Sequence, residues 1–389
     1  VAGHICLDII PDLSGISAES WAAHFRPGQL LMAGPVALST GGPVSNTGLS
    51  LHRLGMATRL MGKVGDDLLS QVIRQFVAGR DPGLAAGMVI DPGSATSYTV
   101  IISPPGVDRI FLHHTGANDT FGADDIRYDV VRETRLFHFG YPPLMRRVYE
   151  NDGAELVAIF RQVRDLGVTT SLDMAVPDPA SPAGRADWRA ILRAAMPYVD
   201  VFLPSVEEIL YMLRRAVFDD LVARAGGGSF LPLIDADLLS SVSGELLDMG
   251  GRIVGLKVGD RGLYLRTAGA EKLAGLGAAC PPDLAAWAGR EYWAPCFRVN
   301  VVGTTGSGDA TIAGFLSGLL RGLPAEETMT AAVAVGACNV EAADALSGVR
   351  PWEETLARIG TGWARRPLEV AAPGWRFDRE RQLWVGPAA

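Results

Sequence analysis

The sequence predicts an α/β protein organised around a mainly parallel sheet, and three observations predict it. From position 136 onward short apolar runs alternate with helix-length ones: L-F-H-F-G, a helical run ending near Leu166, V-T-T-S-L-D, a helical run near Ala190, then V-D-V-F-L-P. Such alternation is the pattern of parallel strands joined by crossover helices. Residues 301–315 read V-V-G-T-T-G-S-G-D-A-T-I-A-G-F: a strand end, a turn with three glycines, an acid and an apolar helix. Finally, β-rich runs at 97–102 and 109–114 flank a Pro-Pro-Gly turn and read as a hairpin.

Taken in order, residues 1–10 read as a strand. Residues 11–40 are irregular, with short apolar runs such as L-L-M-A that can form further strands. A Gly-Gly turn precedes a short helix at 48–55, and Asp66 and Asp67 at a strand-to-helix junction read as helix caps. Residues 214–244, with three consecutive glycines, and 266–296, with Trp287 and Trp293, look like insertions or extended connections. A tail beyond Gly360 carries Trp363, Trp375 and Trp384, which implies packing against the core or a second subunit.

Composition narrows the classes. With 389 residues, 48% of them hydrophobic, the chain can bury a substantial core, and a single large domain with an appended lid is feasible. No apolar run approaches the roughly 18 to 20 residues that span a bilayer, and no basic, then apolar leader opens the chain, so a cytoplasmic protein without membrane contact is expected. A formal charge of -8 argues against general nucleic-acid binding, which needs a basic face. Cysteines 6, 280, 296 and 338 have no C-x-x-C spacing and read as reduced thiols.

The glycine loop carries the chemistry. Its glycines bring successive amides to the start of a helix, where unpaired N–H groups and the helix dipole favour an anion. Asp309 closes that loop, a negative charge where an anion would sit, and this conflict points to a catalytic acid beside a phosphate. Gly303 and Gly308 have the spacing of G-x-x-x-x-G-K-[ST], yet Asp309 and Ala310 stand where Lys and Ser or Thr are required. Gly306 and Gly308 begin G-x-G-x-x-G, but Thr311 replaces the third glycine. A carboxylate base next to an anion hole suits phosphoryl transfer to a hydroxyl. The bland alternative is a glycine turn with a capping Asp.

A second cluster bears on that choice. Residues 41–67 contain Gly41, Gly42, Asn46, Leu54, Gly55, Gly62, Gly65, Asp66 and Asp67 in the order Gly-Gly, Asn, Leu-Gly, Gly-x-x-Gly-Asp-Asp. With Thr304, Thr305, Gly306, Ser307, Gly308 and Asp309, this resembles the ribokinase-like, phosphofructokinase B-type family of carbohydrate kinases. Three further segments resemble it: V-A-G-H-I-C-L-D at the start, F-L-P-S-V-E-E at 202–208, and G-L-K-V-G-D-R-G-L-Y at 255–264.

The resemblance implies a three-layer α/β fold with a mainly parallel central sheet and a small β lid. Segments 1–8, 41–90 and 118–389 would form the core, with a C-terminal extension from about 360, and 9–40 and 91–117 the lid. It implies an ATP-dependent kinase that phosphorylates a hydroxyl of a sugar-like acceptor, uses magnesium, and admits a homodimer joined through the lid. Asp309 would be the base, with amides around Gly306, Ser307 and Gly308 as the anion hole. Asp8, Gly42 and Asn46 would orient the acceptor, with Asn118 and Tyr141 either lining its pocket or serving structure. Ser205, Gly259, Gly262, Thr304 and Thr305 would face the nucleotide and Glu208 the metal, while Glu207 stays structural. Lys257 either meets a phosphate or lies along a strand end.

Departures restrict the substrate. Cys6 and Pro43 stand where ribose kinases carry Asn and Lys, and Tyr141 where they carry an acid. Gly303 replaces the Asp associated with monovalent-cation activation. The first three imply a neutral acceptor other than ribose, and Gly303 implies a weaker dependence on potassium. A nucleoside kinase, a phosphosugar kinase with Arg109 as its anion contact, and a non-catalytic sugar- or nucleotide-binding regulator are the alternatives. Adjacent His113 and His114 point to opposite strand faces and make no metal site by themselves.

Overall fold

The structure, a computed structural model, describes residues 1–17, 19–21, 26–104 and 110–387. Numbered along the chain, the N-terminal part contributes β1 (Ala2–Gly3), β2 (Cys6–Pro11), β3 (Val36–Gly41), β4 (Lys63–Gly65), β5 (Val89–Asp91), β6 (Tyr98–Ile102) and β7 (Ile110–His114). The alternating region supplies β8 (Leu136–Gly140), β9 (Thr169–Leu172), β10 (Val201–Phe202) and β11 (Ile253–Lys257). Beyond these come β12 (Leu263–Thr267), β13 (Glu291–Ala294), β14 (Arg376–Asp378) and β15 (Leu383–Val385).

The main sheet runs β1-β8-β9-β10-β11-β12-β13-β15-β14. It is parallel from β1 to β11 and antiparallel from there on. Parallel strands covered by helices on both faces must be apolar or satisfied throughout, and every residue of β9 is buried. A second sheet, β3-β2-β6-β7, forms the lid.

Several expectations shift. The strand expected at 1–10 is two strands in two sheets, because the chain turns at Gly3 (φ 124). The Asn118 side chain then clasps both backbone groups of Ile5, so Ile5 pairs with neither sheet. The helix expected at 48–55 spans Pro43–Arg53: Gly42 (φ 84) makes the turn and Pro43 starts the helix, where its missing N–H costs nothing. Its first turns are small and polar, which hides them from a periodicity reading. Residues 214–244 are mostly helix, Arg215–Ala225 and the start of Ala236–Asp248, separated at Gly226 in the left-handed conformation. Within 266–296, β13 is an interior strand, with Trp293 fully buried and its indole N–H donating to the Arg261 carbonyl at 3.1 Å.

The tail packs on the core. β15 pairs with β13, setting Trp384 opposite Trp293, and Trp363 stacks on Phe297 at 4.3 Å. Among the described residues no helix is long and apolar enough to cross a membrane. Asp67 caps the helix Leu68–Ala78, accepting from the Ser70 N–H at 2.9 Å.

Candidate active site

The helix Ser307–Leu320 begins after Gly306, whose φ of 72 turns the chain so that Asp309 falls in the first turn. Asp309 is 3% exposed. One carboxylate oxygen accepts from Asn46 Nδ2 at 3.1 Å and from the Tyr141 hydroxyl at 3.0 Å; the other accepts from Thr47 Oγ1 at 3.0 Å. Asn46 and Thr47 lie on Pro43–Arg53, which packs against Ser307–Leu320. Tyr141 follows β8 with φ 61, a conformation that costs a non-glycine residue energy, and the cost is met by aiming the phenol at Asp309. Burial raises the Asp309 carboxyl above its ordinary range, against the pull of Lys257 and the three donors. Burial and the Asp309 charge push the Tyr141 phenol far up, so it stays a donor.

Beside this loop three neighbouring parallel strands end together, the place where open α/β sheets bind ligands. Asp173 follows β9, Ser205 follows β10, and Lys257 ends β11. Lys257 Nζ lies 2.6 Å from Asp173 Oδ1, and a Cβ on Gly308 would sit 3.6 Å from the Lys257 Cδ. Lys257 thus points into the site, not along the strand. Burial pushes Asp173 up to about 6 despite Lys257, with the Asp309 charge adding to the rise. Glu208 rises to about 8, through burial first and the Asp173 charge, against Lys257. Glu208 also caps its own helix: its carboxylate accepts from the Ser205 N–H at 2.6 Å, and Ser205 Oγ accepts from the Glu208 N–H at 3.3 Å.

On the side of the second sheet Asp8 is 9% exposed and stands against Gly41, where a Cβ would lie 2.6 Å from Asp8 Oδ2. Burial pushes its carboxyl up to about 6, while Cys6 Sγ–H, 3.4 Å away, favours the charged form. Gly42 cannot carry a side chain, since a Cβ would reach His4 Nδ1 and the His4 carbonyl at 2.6 Å. The helix, second sheet and strand ends therefore surround the buried Asp309 carboxylate, with another acid on one side and a lysine–carboxylate cluster on the other.

A family model described as pfkB family carbohydrate kinase matches residues 3–233 and 283–351, most of the chain. The chain belongs to this carbohydrate kinase family. Its relatives include a probable chloroplastic fructokinase-6 of Arabidopsis thaliana, 24% identical over 82% of this chain and 70% of that protein. A 5-dehydro-2-deoxygluconokinase of Geobacillus thermodenitrificans is 24% identical over 85% of this chain and 86% of its own length. The fold matches the crystal structure of a fructokinase with bound ATP from Xylella fastidiosa, TM-score 0.67, at 16% identity over 93% of this chain and 97% of that one.

Against the expectations for this pfkB kinase, the structure brings Asn46, Tyr141, Lys257, Glu208 and the Gly306–Gly308 turn around Asp309. Thr304 and Thr305 precede that turn on its outer side. Gly259 (φ 51) and Gly262 (φ 101) form the hairpin turn after β11, and a Cβ on Gly262 would collide with the Ala294 carbonyl, so that glycine is required by the backbone itself. Asn118 is a correction. It is fully buried, its amide donates to the Ile5 and Thr115 carbonyls at 2.9 and 3.0 Å, and its oxygen accepts from the Ile5 N–H. With every polar atom engaged, it fixes the strand that carries Asp8 and does not line the pocket. Arg109 lies outside the described residues. His113 and His114 do diverge, one bonded to Thr99 Oγ1 at 3.0 Å and the other beside the Tyr98 ring at 5.6 Å.

Sequence reasoning missed Asp173 and Thr47. Asp173 had a signal, an acid at the end of V-T-T-S-L-D where a parallel strand meets the ligand side. Among the described residues no group of three side chains is prearranged to hold a metal ion. Asp173 and Glu208 nonetheless fit magnesium, which takes one or two carboxylates and completes its shell with water and phosphate oxygens.

Proposed function

We propose that this kinase transfers the γ-phosphoryl group of ATP to a hydroxyl of a neutral, sugar-like acceptor, with Asp309 as the general base. The observation that carries the reading is the buried Asp309 carboxylate, held by Asn46, Thr47 and Tyr141 in the first turn of a helix that a glycine loop opens. A carboxyl raised by burial is better matched to take a proton near neutrality than an ordinary surface acid.

Asp8 and Asn46 orient the acceptor so that its hydroxyl meets Asp309. The proton passes to Asp309 as the oxygen bonds the γ-phosphorus and the bond from phosphorus to the β-phosphate oxygen breaks, leaving ADP. The N–H groups of Gly306, Ser307 and Gly308 face the charge that develops, and Lys257 balances the carboxylates beside it. Magnesium held by Glu208 and Asp173 would supply charge neutralisation for the phosphates. The lid excludes water that would otherwise compete with the acceptor. We further propose that the lid face bearing Val36, Leu38, Ile110 and Leu112, all exposed, pairs with a second copy of the chain.

The test is an acceptor panel with magnesium and ATP, in which phosphorylated product and ADP are both measured. D-fructose, D-ribose, myo-inositol, 5-dehydro-2-deoxygluconate, fructose 1-phosphate and adenosine cover the classes. A neutral sugar or polyol is expected to win sharply, because a hydrogen-bonding pocket rejects analogues that leave its groups unpaired. The likeness to a 5-dehydro-2-deoxygluconokinase over 85% of the chain favours an acidic sugar as the second reading. A sugar phosphate or nucleoside as best acceptor would refute the neutral-sugar assignment. Binding without phosphoryl transfer to any acceptor would favour a regulator.

A further inference from the structure

His4 is where the chain leaves the main sheet for the lid sheet, between β1 and β2. Its N–H donates to the Gly140 carbonyl and its carbonyl accepts from the Val44 N–H, both at 3.3 Å. These bonds fix the His4 backbone between the end of β8, one residue before Tyr141, and the start of the helix that carries Asn46. The residue is 2% exposed, with its ring centroid 5.2 Å from that of His113 and 6.3 Å from that of Tyr141. Among the described residues neither ring nitrogen has a hydrogen-bond partner.

A buried imidazole with both nitrogens unmet destabilises the fold, and an apolar side chain would fill the space without that penalty. An unmet buried polar group in a native structure calls for an explanation, and a ligand atom supplies one. The neighbours place that ligand. Tyr141 bonds the base, Gly42 leaves room at Nδ1 for nothing larger than its own Cα, and His113 covers the ring from β7, the edge strand of the lid. We propose that His4 is a specificity-determining contact that hydrogen-bonds a hydroxyl of an uncharged, polyhydroxylated acceptor. The proposal rests on the kinase reading above and names the acceptor chemistry of that same site.

Burial, with the His113 charge adding to it, holds the His4 ring well below its usual range, so it is neutral. With Nδ1 crowded by Gly42, Nε2 is the atom that meets the hydroxyl, which can either accept an N–H or donate to a lone pair there, whereas a carboxylate or phosphate on the acceptor would call for a cation. His113 spends Nδ1 on Thr99, so the two histidines do not satisfy each other through that atom. Displacement of His113 with β7 is what admits the acceptor hydroxyl to the His4 ring.

The experiment compares wild type, His4→Gln and His4→Phe for kcat/KM on D-fructose, D-ribose, myo-inositol and 5-dehydro-2-deoxygluconate. Monodeoxy analogues of the preferred acceptor follow. Wild type should discriminate against one deoxy analogue by about two orders of magnitude or more. His4→Phe should lose that discrimination through a raised KM for the parent sugar, with the KM for ATP unchanged, and His4→Gln, which keeps a donor and an acceptor, should restore part of it. Unchanged discrimination in a folded His4→Phe would overturn the role of His4 while leaving the kinase reading intact. If wild type phosphorylates none of the four, the neutral-acceptor reading fails separately, and nitrogen-15 histidine spectra of wild type titrated with the same sugars decide the question for His4. A shift of its ring resonances supports the contact, and no shift with any sugar overturns it.

Discussion

Replacing Asp309 with Asn separates the proposed catalytic role of this carboxylate from its structural one. The amide is isosteric, and its oxygen can take the position that accepts from both Asn46 and Tyr141. Its NH2 group then faces Thr47 Oγ1, which reverses from donor to acceptor by rotating its hydroxyl. All three contacts survive as neutral bonds, each weaker by about 1 kcal/mol than its charge-assisted version. Against that loss stands removal of a buried charge, a cost of several kcal/mol, and burial is the dominant influence on this group. Asp309→Asn should therefore melt no lower than wild type at pH 8. Its kcat should fall by about two to four orders of magnitude, the range for a positioned general base, which is about 2.7 to 5.4 kcal/mol of barrier. Coupled ADP release on the best acceptor measures the rate, calorimetry the stability and equilibrium titration the ATP affinity, which should not change. In wild type log kcat should also fall as pH drops through the Asp309 pKa, raised above the ordinary 3.8, because the base must be ionised to work. The variant should lack that limb. Near wild-type turnover by Asp309→Asn would refute the assignment, and a strongly lowered melting point would refute the account of its hydrogen bonds.

Glu208→Gln should raise the magnesium concentration needed for half-maximal rate while preserving the helix cap through the amide oxygen; an unchanged magnesium requirement would remove Glu208 from the metal site. Because the Glu208 carboxyl is raised in the fold, wild type loses stability from this group as pH rises from 4.5 towards 8, so the melting advantage of the Gln variant should widen across that window. Leu112→Glu on the exposed lid face should shift sedimentation from dimer to monomer, and a wild-type chain that sediments as a monomer at every concentration would dispose of the lid pairing.

The sequence by itself determined the class of fold and singled out Asp309 as the acid to examine. Alternating strand and helix lengths follow from where apolar residues recur, and the turn at Gly306 follows from which residue can adopt a positive φ, so both are local properties written in residue order. Asp309 was legible for the same reason, since an acid at the opening of a helix after a glycine turn is a conflict visible without coordinates. Contacts between distant segments were not legible. Thr47, Tyr141 and Asp309 lie on three separate elements, and only the packing of Pro43–Arg53 against Ser307–Leu320 turns a threonine in a small, polar helix turn into a hydrogen-bond donor to Asp309. Asn118 had the composition of a sugar ligand, yet tertiary structure committed its amide to the backbone of Ile5 and Thr115. Asp173 and Lys257 meet because β9 and β11 both flank β10 and end on the same side, an order set by crossover connections and not by sequence neighbours. Burial decided the rest: the same carboxyl chemistry gives Asp67 a lowered pKa as a helix cap, with four hydrogen bonds outweighing its burial, and Glu208 one near 8 where burial wins. That difference comes from desolvation and neighbouring charge, which exist only once the chain has folded.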